Sequence, residues 1–198
     1  MKKHILCLGD SNTHGYCADP NDCADHGIRF NEDERWTCRL QTALGSDYLV
    51  TEEGLSGRTT VFMDPIHESM DALSVAYSLL KSHEVIDLLI IMLGTNDTGM
   101  SVDEFIKNYT ALVQAIQESY PYTDIIVNTV PPVPADHSNY PNMDQTRIDD
   151  FNMALLSMCE KMGLKFLNSA EALKDANGYG REDYYQTGDI HLKPVGLK

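Results

Sequence analysis

Asp87-Leu88-Leu89-Ile90-Ile91-Met92-Leu93 runs straight into Gly94-Thr95-Asn96-Asp97. Six successive apolar residues leave neither face of this segment for water, which is the pattern of a central strand in a parallel sheet. The glycine that follows marks the end of the strand. Working outward, Ile5 to Leu8 is a short apolar run ending at Gly9, and Tyr48 to Thr51 is another, ending before Gly54. Ile125 to Val130 is stopped by Pro131-Pro132, and Leu164 to Leu167 is a weaker fifth strand. Helical patterns alternate with these runs. Glu32 to Leu44 leads into Gly45, a C-cap residue, and Ser69 to Ser82 follows the second strand. Ser101, with Glu104 three residues on, forms a capping box for a helix to about Glu118. Asp144 to Met162 ends at Gly163. Five strands joined by crossover helices predict an α/β chain: a three-layer α/β/α sandwich around a five-stranded parallel sheet, in the flavodoxin-like order 2-1-3-4-5.

In that order the first, second and third strands are neighbours about 4.8 Å apart. Their C-terminal ends meet at the crevice where such sheets bind ligands. The first strand delivers Gly9-Asp10-Ser11-Asn12-Thr13, the second Glu52-Glu53-Gly54-Leu55-Ser56-Gly57-Arg58-Thr59-Thr60, and the third Gly94-Thr95-Asn96-Asp97. Singly, each reads equally well as turn residues, and Ser11 as an ordinary helix cap. Together they bring a serine, a glycine N–H and an asparagine amide to one place, which are the parts of an oxyanion hole.

GDSNT, EEGLSGRTT, IIMLGTND and the late His191 resemble, in order, the sequence blocks of the SGNH (GDSL-like) hydrolase family. More narrowly, ERWT, EEGLSGRTT and DLLIIMLGTNDT are similar to its arylesterase and acyltransferase branch. The resemblance spans Gly9 to His191. It implies a serine esterase that hydrolyses or transfers short acyl groups from small esters through an acyl-Ser11 intermediate, needing no cofactor and no metal. It makes Ser11 the nucleophile and His191 the general base. It also gives the oxyanion hole to the Ser11 and Gly57 N–H groups and the Asn96 amide. Carbohydrate O-acetyl esters and lysophospholipids are further substrates processed on this scaffold. Relatives assemble, so a homo-oligomer is an open expectation.

Two departures from the family pattern matter. The acid normally sits three residues before the histidine, where this chain has Gly188. Asp189 is the nearest carboxylate and reaches the ring if residues 189–191 are extended, because i and i+2 then share a face. Asp183, eight residues before His191, and a backbone carbonyl are the alternatives. In addition, family members continue beyond this point into a final helix, so residues 1–198 are expected to form a single domain lacking it.

Thirty acidic residues against fifteen basic ones give a net charge of −15. That field opposes nucleic acid and anionic membrane surfaces as partners. No apolar run approaches the roughly 20 residues that span a bilayer, and the N-terminus lacks a signal-peptide core, so a cytoplasmic location and free thiols at the five cysteines are expected. His14, Cys17, Cys23 and His26 imitate a metal clip, but their spacing fits no zinc site and an ordinary loop beside the crevice is the expectation. Glu52 and Glu53 point to opposite faces and cannot share a sugar, so an ion pair to Arg35 or Arg58 is their expected role. Trp36, Met92, Met100 and Met143 are expected to pack, and His4, His67, His83 and His137 to be surface or core. The competing class is a flavodoxin-like module, catalytically degenerate or a pure binder. The Gly9 to Gly15 turn lacks the Gly-Lys-Ser/Thr ending of a phosphate loop, which counts against the binder.

Overall fold

The computed structural model describes residues 2–19, 29–61, 70–83 and 85–196. Its strands are β1 (Lys3–Gly9), β2 (Tyr48–Gly54), β3 (Leu88–Met92), β4 (Asp124–Asn128) and β5 (Lys165–Leu167). All pair in parallel, in the order β2-β1-β3-β4-β5. The helices are α1 (Ser11–His14), α2 (Trp36–Leu44), α3 (Ala72–Lys81), α4 (Val102–Ser119), α5 (Gln145–Met162) and α6 (Ala170–Leu173).

Alternation along the strands sorts the core into two layers. Leu6, Leu8, Leu89, Ile91, Ile125 and Val127 point to one face and meet α3, α4 and α5 through Ala76, Leu80, Phe105, Leu112, Phe151 and Leu155. Ile5, Cys7 and Ile90 point to the other, where α2 lays Trp36, Leu40 and Leu44 against them. Each fully buried Leu, Ile or Phe contributes about 1.5–3 kcal/mol of apolar transfer. The Phe105 and Phe151 rings stack with centroids 3.8 Å apart, fastening α4 to α5.

Local chemistry sets the element ends. Ser101 caps α4 through the Glu104 N–H, Asp71 caps α3 through Ser74, and Asp144 caps α5 through Thr146. Gly163 closes α5 in the left-handed conformation, its φ being 66°. The helix expected from Glu32 begins only at Trp36, because Arg35 is extended (φ −75°, ψ 141°) with its side chain bound to Glu52, and the Glu32 to Glu34 stretch is a turn. Similarly α3 begins at Ala72 behind its Asp71 cap; Ser69 lies outside the described residues. β2 runs three residues further than its apolar pattern, to Gly54, paired with β1 throughout.

Cys7, Cys38 and Cys159 are free thiols. Cys17, expected to be one as well, is disulfide-bonded. The chain doubles back at this point, Tyr16 pairing antiparallel with Arg29, a proximity that cysteine spacing does not reveal. Among the described residues, no helix is long and apolar enough to cross a membrane.

Gly9 and Gly54 stand side by side in the β1–β2 register. A methyl on Gly54 would lie 2.1 Å from the His14 nitrogen and 2.5 Å from the Thr13 carbonyl carbon, both backbone atoms of α1. Gly54→Ala should therefore destabilise by about 1–3 kcal/mol, the range for overpacking, and lower kcat with it, since the turn that moves carries Ser11. Gly99→Ala, where an added methyl meets nothing within 4 Å, should change stability by less than about 0.5 kcal/mol. Urea midpoints of the two variants check this, and equal midpoints would show that α1 and β2 part easily.

Candidate active site

Ser11 opens α1 immediately beyond β1. Asp10 caps this single turn by accepting the Asn12 N–H at 3.0 Å, and Gly15 (φ 81°) closes it with a hydrogen bond to the Ser11 carbonyl. The turn leaves the Ser11 side chain aimed at the segment after β5, where His191 Nε2 lies 2.9 Å from Ser11 Oγ. Asn12 helps hold that segment by accepting the Leu192 N–H at 3.1 Å. Gln186 braces it from the other side, its N–H donating to the His191 carbonyl.

His191 Nδ1 lies 2.5 Å from Asp189 Oδ1, and the same oxygen accepts the His191 backbone N–H at 2.9 Å. The link does not arise from an extended run. Residues 189–191 are bent, following a turn in which the Asp189 N–H meets the Gln186 carbonyl and Gly188 has φ 66°. Asp189 therefore reaches its neighbour two residues on by the local side-chain-to-backbone bond favoured by Asp in turns. Burial alone pushes its carboxyl up, but the His191 hydrogen bonds outweigh that and hold it below the usual carboxylate range. Asp183, the alternative acid, is exposed and paired with Arg181 at 3.0 Å instead.

The second turn is built around Gly57. Its φ of 81° and the Arg58 N–H to Leu55 carbonyl bond of 3.0 Å make a tight turn that suits glycine. Among the described residues, nothing accepts the N–H of Gly57 or of Ser11. From the third strand end, Asn96 Nδ2 donates to the Arg58 carbonyl at 2.9 Å, placing its amide against the residue after Gly57. Arg58 itself threads back beneath the site, donating to the Gly9 carbonyl at 3.1 Å and to the Glu53 carbonyl. The three groups expected of an oxyanion hole are thus gathered on turns cross-linked to one another.

Three features escape the sequence. The Tyr16 ring packs on the His191 imidazole with centroids 4.4 Å apart, and Tyr140 approaches it edge-on at 5.6 Å. Burial, with smaller effects of Asp189 and Tyr16, pushes the Tyr140 phenol up to about 12. Gln186 fastens the Tyr16 loop, accepting from Ala18 N–H at 2.5 Å and donating to the Tyr16 carbonyl at 3.0 Å. Finally, Asp97 lies buried beside these turns, accepting both the N–H and the hydroxyl of Thr60. Only Asp97 sat within a recognised block; Tyr16, Tyr140 and Gln186 carry no motif.

Of the remaining candidates, Glu52 pairs with Arg35 and Arg29, each at 2.8 Å, while Glu53 pairs with His83. Met92 and Met100 are buried in the core, and Met143 packs against it. Trp36 is half-buried against β1 and β3. His4 is buried between Val85 and Thr51, and His137 bonds to the Pro134 and Met143 carbonyls. His14 is half-buried beside Gly54; Cys23, His26 and His67 lie outside the described residues. Among the described residues, no three His, Cys, Asp or Glu side chains gather as metal ligands would.

The model of the GDSL-like lipase/acylhydrolase family matches residues 7–198. The chain is 28% identical to the native M. smegmatis aryl esterase, covering 98% of this chain and 93% of that one at a TM-score of 0.81. It is 25% identical to Est24, a carbohydrate acetylesterase from Sinorhizobium meliloti, with 99% and 93% covered and a TM-score of 0.82. The lipase/acylhydrolase from Enterococcus faecalis, 22% identical over 98% and 89% at a TM-score of 0.70, shares the fold. Among curated protein sequences, none matches this chain.

Asp97 generates a pH dependence whose sign is fixed. Burial, aided by Asp10 and opposed by Thr60, raises its carboxyl from 3.8 to about 6. The Tyr109 phenol, itself pushed up chiefly by burial, is raised a little further by the Asp97 charge. Between those two pH values the folded chain holds a proton that the unfolded chain has lost, so this group withdraws stability as pH rises from about 4 to about 6. The loss is on the order of 2 kcal/mol. Asp97→Asn removes the titration, so the stability of the variant relative to the wild type should shift in its favour by that amount between pH 4 and pH 6.5. Urea melts at the two pH values measure it, and a pH-independent difference would show that Asp97 titrates normally.

Proposed function

Because the chain belongs to the GDSL-like lipase/acylhydrolase family and is an ester-bond hydrolase, we propose that it cleaves short-acyl esters of small molecules through an acyl-Ser11 intermediate. The observation that carries this reading is the unbroken relay from Ser11 Oγ to His191 Nε2 (2.9 Å) and from His191 Nδ1 to Asp189 Oδ1 (2.5 Å), all three side chains buried.

The chemistry follows from that relay. Ser11 Oγ attacks the ester carbonyl as its proton passes to His191 Nε2. Asp189 fixes the tautomer with Nδ1 protonated and stabilises the imidazolium that forms. The carbonyl oxygen, now negative, takes hydrogen bonds from the N–H groups of Ser11 and Gly57 and from the Asn96 amide. Collapse breaks the ester C–O bond, and the departing alcohol takes the proton from His191. Water then repeats the sequence on the acyl-serine, freeing the acid and restoring Ser11. Tyr16 and Tyr140 wall the imidazole, and the Met70 methyl packs close to Gly57; the short acyl group is suggested by the similarity to an aryl esterase and a carbohydrate acetylesterase.

The similarity to a carbohydrate acetylesterase supports a second reading, in which the acetyl group is carried by a sugar. The two differ in the alcohol and not in the acyl transfer. Comparing kcat/KM for an aryl acetate with that for an acetylated oligosaccharide separates them.

Ser11→Ala should abolish measurable hydrolysis of a chromogenic acetate while shifting thermal stability little. A serine-directed phosphonate should add one group per chain, mapped to the peptide containing Ser11. Labelling at a different serine overturns the assignment.

Asp189→Asn should lower kcat at least ~10²-fold, given that the corresponding change in the Ser-His-Asp template costs about 10⁴-fold through the wrong tautomer. A loss below roughly tenfold would mean that His191 works as a base without its carboxylate.

A further inference from the structure

We propose that Asp97 is a positioning residue for ester hydrolysis, gripping Thr60 so that the Gly57 N–H and the Asn96 amide are held at a fixed separation. The inference rests on the reading of those two groups as oxyanion donors.

The geometry is a two-point clamp. Asn96 and Asp97 are consecutive residues of the 3₁₀ turn Thr95–Asp97 at the end of β3. Arg58 and Thr60 lie two apart in the segment after β2. Asn96 Nδ2 donates to the Arg58 carbonyl at 2.9 Å, while Asp97 Oδ1 accepts the Thr60 N–H at 3.0 Å and the Thr60 hydroxyl at 2.6 Å. Asn96 has two amide hydrogens, so spending one on Arg58 settles which way the amide faces and leaves the other for the crevice. That arrangement survives only while the Arg58 carbonyl stays in place. Arg58 is flanked by Gly57, the other donor, and, through Thr59, by Thr60, which Asp97 holds. The far side of the segment is tied to α3 by the Ala72 N–H to Thr59 and Leu73 N–H to Thr60 carbonyl bonds. Those bonds fix it to a helix and not to the turn carrying Asn96, so among the described residues Asp97 and Asn96 are what bind the two donor turns together.

The choice of a carboxylate here is informative. Asp97 and Thr60 are fully buried, and burial raises the acid to about 6, so the group is held in a place that disfavours its charge. An apolar pair of similar shape would avoid that penalty. What apolar residues do not supply is direction: two hydrogen bonds from one residue onto one oxygen fix both position and orientation. An oxyanion hole requires that, because donors must stand about 3 Å from an atom that becomes charged only in the transition state, and a misplacement near 1 Å can cost about 10²-fold in rate.

A double-mutant cycle on an aryl acetate tests the inference. Asn96→Ala should lower kcat by about 10²–10³ with KM little changed. Asp97→Ala, which removes the oxygen that accepts both Thr60 bonds, should lower kcat by roughly 10- to 100-fold, again with KM within about threefold. Because Asp97 acts by setting the separation of the two donors, adding Asp97→Ala to Asn96→Ala should cost less than about threefold more. Thr60→Val, which deletes the hydroxyl and keeps the N–H, should reproduce the kcat loss in part, and Thr60→Ser should retain wild-type kcat. If Asp97→Ala does not fold, Thr60→Val takes its place in the cycle. The inference is overturned if these variants lower the melting temperature while leaving kcat unchanged, or if their full loss persists beside Asn96→Ala. Asn96→Ala without effect on kcat would instead sink the oxyanion reading itself, and the positioning role with it.

Discussion

Gly9, Gly54 and Met92 stand in register at the C-terminal edge of three hydrogen-bonded strands, and every candidate catalytic turn springs from one of those positions or packs against it. Strands about 4.8 Å apart cannot splay their exits, so chain leaving β1, β2 and β3 must share one crevice. The turns are then pressed together closely enough that α1 lies on the backbone of Gly54, and Arg58 crosses below to bind carbonyls from both β1 and β2. The core acts on the same edge. Phe105 of α4 and Val130 crowd Gly94 so tightly that a methyl there would lie 2.6 Å from Val130, which fixes the start of the turn carrying Asn96. Burial of the sheet faces thus supplies the energy, and the strand register turns it into position.

Beneath that edge the chain buries charge. Asp10, Arg58 and Asp97 are all nearly inaccessible. Burial raises both carboxyls and lowers the guanidinium, and the mutual attraction of Asp10 and Arg58 offsets part of the penalty for each. Isolated ion pairs in such places seldom stabilise a fold. Here each group holds a backbone feature of the site: Asp10 caps the turn of Ser11, Arg58 ties the strand exits, and Asp97 holds Thr60. Stability is given up locally so that hydrogen-bond donors stand still, while the two apolar layers provide the excess that allows it.

What the sequence revealed follows the range of the interactions involved. The run Asp87 to Leu93 announces a doubly covered strand because burial on two faces writes itself on every residue. The cap at Ser101 and the end of α5 at Gly163 were legible for the same local reason, while Asp144, read as the first residue of that helix, is its cap. Ser11, Asn96 and His191 stood out as candidates because the resemblance spans separate blocks in a fixed order. The start of α2 was not, since Arg35 is drawn out of the helix by Glu52, seventeen residues away. Tyr16, Tyr140 and Gln186 were missed because their roles exist only once the loop after α1, the loop after β4 and the segment after β5 meet at His191. The bond at Cys17 depends likewise on a chain reversal that composition does not encode.

The carboxylate partner of His191 shows how a departure in sequence can leave chemistry available. An aspartate at position 188 would have to adopt φ near +66°, and its Cβ would lie 2.8 Å from the Ser138 hydroxyl. Glycine accepts both conditions at this turn, and the Asn139 N–H closes the contact by bonding to the Gly188 carbonyl. The acid is then one residue nearer the histidine, where an extended path would be expected to carry it. Instead the chain bends, and the Asp189 oxygen accepts the His191 N–H before reaching the ring. That first bond is local and sets the second: with the backbone N–H held at 2.9 Å, the imidazole has only to rotate to place Nδ1 on the same oxygen and Nε2 toward Ser11. The orientation of the imidazole is therefore encoded within three residues, and the distant contacts from Asn12, Gln186 and Tyr16 serve to carry that unit to the serine.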